Sequence, residues 1–221
     1  MKRGMSSAIA ACALILCGSG VCQAQSGWDV SAMGGVFAGH PRASERANQY
    51  DNWFNTGQGA VNVGHYFTPH IKVEFEASWT GTGTQFIQRF VTVPGLVAGY
   101  PVGAESKSSM RSLGATATWQ FFENEWVHPF VMAGASVDVD QRSVHVFEQR
   151  YYSGDPRTTT PLIVANESLQ GPVRTTRTRA LLGGGAKFYV IEHAFIRADG
   201  RVTVGAGQYN LAFLVGAGVD F

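Results

Sequence analysis

Long hydrophobic runs are missing from this sequence. Although 45% of its 221 residues are hydrophobic, no stretch approaches the ~20 consecutive apolar residues that a transmembrane helix requires. Charge is scarce as well. Only 15% of residues are charged, against about 25% in ordinary soluble domains. The formal net charge is +1, so there is no basic excess of the kind that holds phosphates, and nucleic acid is excluded as a partner. Cysteine is confined to Cys12, Cys17 and Cys22. All three lie in a stretch laid out like a secretory signal. Lys2 and Arg3 make a basic start, Ala8 to Leu16 is a short apolar run, and Cys22-Gln23-Ala24 ends in small residues at the offsets a signal peptidase reads. Residues 1–24 are therefore expected to be a removable leader, with 25–221 as one domain. That domain has no cysteine, which excludes disulfides, cysteine-based zinc sites and a cysteine nucleophile. Loss of Lys2 and Arg3 also turns its net charge slightly negative.

Glycine and aromatic side chains are what the chain has in excess. There are 27 glycines, and aromatics make up 12% of the residues; ordinary chains have only about 7% glycine. Mean hydropathy is −0.02, so apolar and polar residues are interleaved until they cancel, as in transmembrane β-barrels. Ile71 to Thr80 shows the interleaving most clearly. Ile71, Val73, Phe75, Ala77 and Trp79 alternate with Lys72, Glu74, Glu76, Ser78 and Thr80. As a strand this gives one apolar and one polar face; as a helix the charges would be smeared around the axis. Similar alternation runs through Trp28 to Ala38, Val61 to Phe67, Ser112 to Phe121, Val127 to Asp140, Arg177 to Val190, Ala194 to Val204 and Leu211 to Phe221. The pattern predicts an all-β, eight-stranded antiparallel up-and-down transmembrane β-barrel.

The connections alternate in length. Thr68-Pro69-His70, Glu123-Asn124-Glu125 and Ile191-Glu192-His193 are tight, whereas 40–56, 81–107 and 143–173 read as long polar loops and 205–208 as a short one. Short turns at one end and long loops at the other fit the periplasmic and extracellular ends of an outer-membrane barrel. One aromatic girdle is expected near the tight turns, from Trp28, Tyr66, Phe67, Phe121, Phe122, Trp126, Phe188, Tyr189, Phe195 and Phe221. A second is expected from Phe37, Trp53, Phe54, Trp79 and Tyr209.

The turn Phe67-Thr68-Pro69-His70-Ile71, the strand start Trp126-Val127-His128-Pro129-Phe130 and the terminus Leu211 to Phe221 resemble the OmpA-like outer-membrane β-barrel superfamily. The likeness covers 25–221 and contains no peptidoglycan-binding domain. It implies a location in the cell outer membrane, in contact with its lipid and lipopolysaccharide. It also implies insertion by the barrel-assembly machinery, with Phe221 as the assembly signal, and a monomeric state.

Eight strands enclose an interior that side chains fill, or that holds one small ligand. Each charge on the inward face must then find a partner, because an unpaired buried ion loses its hydration. Strand three lies opposite strand seven, so Glu74 and Glu76 are expected to accept from Arg197 and Arg201 near Asp199. Lys72 and Lys187 are expected nearer the periplasmic mouth, and Asp138 and Asp140 to meet Arg177 and Arg179 in a second layer. Such a network plugs the lumen. The reading is of a structural or surface-interacting barrel with its recognition in the long loops. The alternatives are an OmpW-like narrow channel for small solutes and a lipid-A-modifying enzyme. The enzyme is disfavoured because His65-Tyr66-Phe67 has Phe where the deacylase type needs a serine nucleophile. No enzyme, cofactor or metal site is therefore expected. The six scattered histidines have no ligand spacing, and Gly183-Gly184-Gly185 reads as room for large neighbours or a bend rather than a phosphate loop.

Overall fold

A computed structural model of the chain describes residues 27–39, 54–92, 99–121, 126–151, 162–205 and 207–221. The expected leader, most of the 40–56 connection and Glu123-Asn124-Glu125 lie outside them. The strands are β1 (Trp28–Gly39), β2 (Phe54–Tyr66), β3 (Ile71–Thr80), β4 (Gly83–Thr92), β5 (Gly99–Gln120), β6 (Val127–Val146), β7 (Gln149–Tyr151), β8 (Leu162–Ala165), β9 (Ser168–Ile191), β10 (Ala194–Gly205) and β11 (Gln208–Asp220).

Eight of these strands close a ring. The order β3-β2-β1-β11-β10-β9-β6-β5 returns to its start because β5 also pairs with β3, and every pairing is antiparallel. Chain neighbours are ring neighbours, and β1 zips to β11 from Asp29↔Asp220 to Gly39↔Asn210. Phe221 completes that seam. Its N–H donates to the Trp28 carbonyl at 2.9 Å, and the Trp28 N–H donates back at 3.2 Å. Closure leaves no strand edge within the bilayer, where water is absent and an unpaired backbone group would cost several kcal/mol. The tight turn after β2 is held by Thr68, whose Oγ1 accepts from the Ile71 N–H at 2.9 Å.

Two segments expected as loops are strand in large part. β4 pairs with β5 along Gly99–Ser108, directly beyond the stretch of β5 that pairs with β3. β6 continues to Val146 and β9 begins at Ser168, and β7 and β8 form a separate small pair. The 22, 20 and 24 residues of β5, β6 and β9 are about twice the ~9–11 that cross a bilayer. They therefore carry a wall of β4, β5, β6 and β9 beyond the membrane at the long-connection end. Alternation does not flag such segments, because backbone pairing there needs no greasy face. A bulge in the β6–β9 ladder between Arg142 and Val144 lies within this wall.

Strand parity also corrects the aromatic girdles. Trp28, Phe67, Phe121, Trp126, Phe188 and Phe221 face outward at the short-turn end, and Trp79 and Tyr209 do so at the other. Tyr66, Phe195 and Phe37 are buried in the lumen instead, and Tyr189 is tied to the lumen by a hydrogen bond to Asp220. They share parity with Asn62, Arg197, Met33 and Lys187 respectively, and being aromatic does not override parity. Trp53, Phe122 and the Phe54 side chain lie outside the described residues.

Between the girdles the outer face is apolar and open, with Leu113, Val131, Leu182, Phe213 and Val215 among its exposed side chains. A continuous surface of this kind would be unusual in water and is at home in lipid. Ala117, Ala133 and Leu182 stand in register across β5, β6 and β9 on this face. Arginine at any of them should cost about 2–4 kcal/mol if it lies near the bilayer midplane. Denaturant unfolding from lipid vesicles measures this, and unchanged stability would invert the inside–outside assignment.

Candidate functional site

The inward face holds the chemistry. Asp29, Lys72, Glu74, Asp138, Arg179, Lys187, Arg197, Asp199, Arg201 and Asp220 are all buried. Each sits at the position in its strand that alternates with an outward apolar residue. In a ring this narrow the charges are met by one another and by the hydroxyl, amide and aromatic groups that share the inward face.

At the short-turn end, Asp29 anchors two ammonium groups. Lys72 Nζ donates to its carboxylate at 2.8 Å, and Lys187 Nζ donates to the same oxygen. Lys187 also donates to the Tyr66 hydroxyl at 2.7 Å and lies 3.5 Å from Asp220. Its ammonium sits 3.9 Å from the Phe195 ring centroid and 5.2 Å from that of Tyr66, so two inward aromatics supply cation–π contact. The Tyr189 hydroxyl donates to Asp220. Room for the cluster comes from Gly64, where a Cβ would run into the Asp29 carboxylate.

In the middle, the partners come from opposite walls. Glu74 on β3 accepts from Arg197 on β10 at 2.6 Å and from Lys72 at 2.5 Å. Asp199 lies between two guanidinium groups, accepting from Arg197 Nε and Arg201 Nε at 2.9 Å each. Arg201 reaches back across the lumen to Glu76. Arg197 further stacks on Phe130, 4.8 Å from the ring centroid. Gly185 gives this layer its space, since a Cβ there would meet the Asp199 side chain and the Ala198 carbonyl. The two glutamates are not equivalent. Glu74 is sealed and serves two cations, whereas Glu76 keeps 11% side-chain exposure and pairs with one.

Toward the long-connection end, Arg179 donates to Asp138 at 2.5 Å and to Asp140 at 2.8 Å. Arg177 lies 3.4 Å from Asp140 and donates to Gln208. Ser112 donates to Asp138. The sequence reading therefore named Lys72, Glu74, Glu76, Asp138, Asp140, Arg177, Arg179, Lys187, Arg197, Asp199 and Arg201, and each lies in one of these three layers. It missed Asp29, Asp220, Tyr66 and Tyr189. Parity marks Asp29, between Trp28 and Val30, and Asp220, between Val219 and Phe221, as inward. Each stands at the end of its strand, where the run of alternation that marks an inward face begins or stops. Among the described residues, no three His, Asp or Glu side chains gather as a metal site. His65 packs on Trp28 at 4.6 Å on the outer face, and His128 is buried in the lumen.

The chain is similar in fold to several solved barrels. Neisserial surface protein A is 14% identical, with a TM-score of 0.53, over 89% of this chain and 98% of that one. Ail, the attachment invasion locus protein of Yersinia pestis, is 15% identical, with a TM-score of 0.46, over 89% and 100%. The outer membrane protease OmpT from Escherichia coli is 12% identical, with a TM-score of 0.51, over 89% and 97%. The last of these overturns the expectation that this chain is not an enzyme. A likeness at this identity shows the fold alone, but that fold is shared with a protease. The Phe67 that replaces a serine removes one acyl-transfer arrangement and leaves other chemistries of the fold untouched. Among curated proteins, none matches the chain significantly. Residues 8–221 match the outer membrane protein beta-barrel domain, and the chain belongs to that family.

Proposed function

We propose that this outer-membrane protein is a monomeric barrel with a closed, charge-plugged lumen, and that its role is structural or surface-interactive, exercised through the wall and connections beyond the bilayer. The observation that carries this reading is the Glu74–Arg197 pair. Its side chains, 2% and 1% exposed, bridge opposite walls of the ring. With Lys72, Asp199, Arg201 and Glu76 joined to it, the ions link β3 to β10 across the lumen, and this supports a closed interior. Removing either partner of such a pair by substitution costs about 3–5 kcal/mol. Recognition is assigned to the projecting parts of β4, β5, β6 and β9, which extend past the lipid. Lipopolysaccharide is the surrounding outer-leaflet lipid in this reading, and Arg111, outward and opposite Trp79 on β3, stands where its anionic headgroups would lie.

Planar-bilayer recordings test the plug. The wild-type barrel should be nearly silent, and Glu74→Ala with Arg197→Ala should open a small conductance. A wild-type barrel that conducts steadily would overturn the closed lumen. Insertion by the barrel-assembly machinery is proposed to depend on Phe221, whose backbone closes the β1–β11 seam and whose ring faces lipid. Deleting Phe221 should lower the heat-modifiable, folded fraction in outer membranes. Wild-type levels after deletion would remove the assembly role.

A further inference from the structure

On the outward face of β5, β6 and β9 the side chains turn from apolar to polar within two residues of each strand. The change runs from Leu113 to Arg111 on β5, from Val139 to Gln141 on β6 and from Ala180 to Thr178 on β9. Arg111 pairs with Trp79 of the outer girdle, and such a girdle sits at headgroup level. The outward residues just past this change therefore stand among lipid headgroups.

Three cations occupy that level, Arg111 and Lys107 on β5 and Arg174 on β9, and all three are exposed. Arg111 and Lys107 are four residues apart on one face, which is about 13 Å along a strand. Ser109, midway between them, pairs with Gln141, and Gln141 pairs with Arg174. Arg174 thus lies level with the midpoint of the other two and two strands away, about 10 Å. The three mark a triangle that long side chains can span. Among the described residues, no carboxylate is paired with Arg111 or Arg174. Lys107 meets Glu105 at 3.7 Å with 53% of its side chain exposed, a surface pair of little strength.

Beside Lys107 lies a groove of about 180 Å³, lined by Glu105, Lys107, Ser143, His145 and Leu169. It opens outward, since Ser106, Val144 and Val146, which alternate with these residues, are buried. His145 is held to Glu167 at 2.8 Å. Leu169 is 74% exposed and offers an apolar ledge among polar groups.

We propose that this face is a seat for one bisphosphorylated glycolipid headgroup of the outer leaflet, a sugar disaccharide with a phosphate at each end. Arg111 and Lys107 hold the two phosphates, and Arg174 closes the third side. Guanidinium forks match phosphate oxygens bidentately, and lysine adds a point charge. The groove takes sugar, its Glu105 and Ser143 meeting hydroxyls and Leu169 a ring face. The seat deepens the lipopolysaccharide contact proposed above and rests on that part of the reading, not on the closed lumen.

Native mass spectrometry tests it on the full barrel, refolded in neutral detergent with bisphosphorylated lipid A, monophosphorylated lipid A or phosphatidylglycerol. One bisphosphorylated lipid A should be retained per barrel, in preference to both other lipids. Arg111→Gln and Arg174→Gln should each weaken its retention about tenfold. Equal retention of phosphatidylglycerol would overturn the seat and leave a general collar for anionic lipid. Equal retention of the monophosphorylated form would overturn the two-phosphate geometry on which it is built. Retention indifferent to both arginine variants, in barrels that remain heat-modifiable, would also overturn it. Conductance of the same preparations reads the lumen separately: a silent barrel that retains no lipid A refutes the seat alone, and a conducting barrel refutes the closed lumen.

Discussion

A side chain on a closed barrel strand has two destinations, lipid or lumen, and successive residues must take them in turn. In this chain the lipid destination between the girdles is filled by residues such as Val, Leu, Ala and Phe, so the charges between the two girdles are driven inward. The interior is too narrow to hydrate them. The consequence is the pairing of Glu74 with Arg197 and Lys72, of Asp199 with Arg197 and Arg201, and of Asp29 with Lys72 and Lys187. Desolvating these groups is costly, and it is offset only because several partners meet each ion in good geometry. Lysine beside tyrosine and phenylalanine, and arginine over Phe130, add contacts that need no counter-ion.

The small residues follow from the same crowding. Gly64 and Gly185 stand on the inward face where a Cβ would collide with Asp29 or Asp199. The high glycine content is thus partly a record of where ions cross the lumen. It also explains why Gly183-Gly184-Gly185 lies in a strand: Gly183 and Gly185 face inward beside Arg201 and Asp199, and Gly184 faces outward between Val131 and Gly200.

The eight membrane-crossing strands were legible because lipid demands strict alternation, and segments such as Ile71 to Thr80 satisfy it without exception. Beyond the bilayer the demand lapses. There β4 and the outer ends of β5, β6 and β9 are held by backbone pairing in which polar residues mix with Phe86, Val102, Ala104, Val144 and Val146, and Gly- and Pro-rich composition presents them as loops. Side-chain direction was legible wherever parity was applied and was lost where residue type was read instead, as with Tyr66, Phe195 and Phe37. Which ions meet needed the strand count as well, since strand three lies opposite strand seven in a ring of eight. It depends on the ring's closure and stagger, which set Glu74 of β3 against Arg197 of β10, 123 positions away. Alternation within a strand carries no such information.

Pairing across the lumen is the step on which the proposed closed interior depends, and a double-mutant cycle measures it directly. Glu74→Gln, Arg197→Gln and the double variant would be unfolded by urea from lipid vesicles and compared with the wild type. Residues in contact within one ionic network couple by about 0.5–3 kcal/mol, so the double variant should be less destabilised than the two single losses combined by an amount in that range. Additive losses, with no coupling between Glu74 and Arg197, would contradict a lumen closed by ions that bridge its opposite walls.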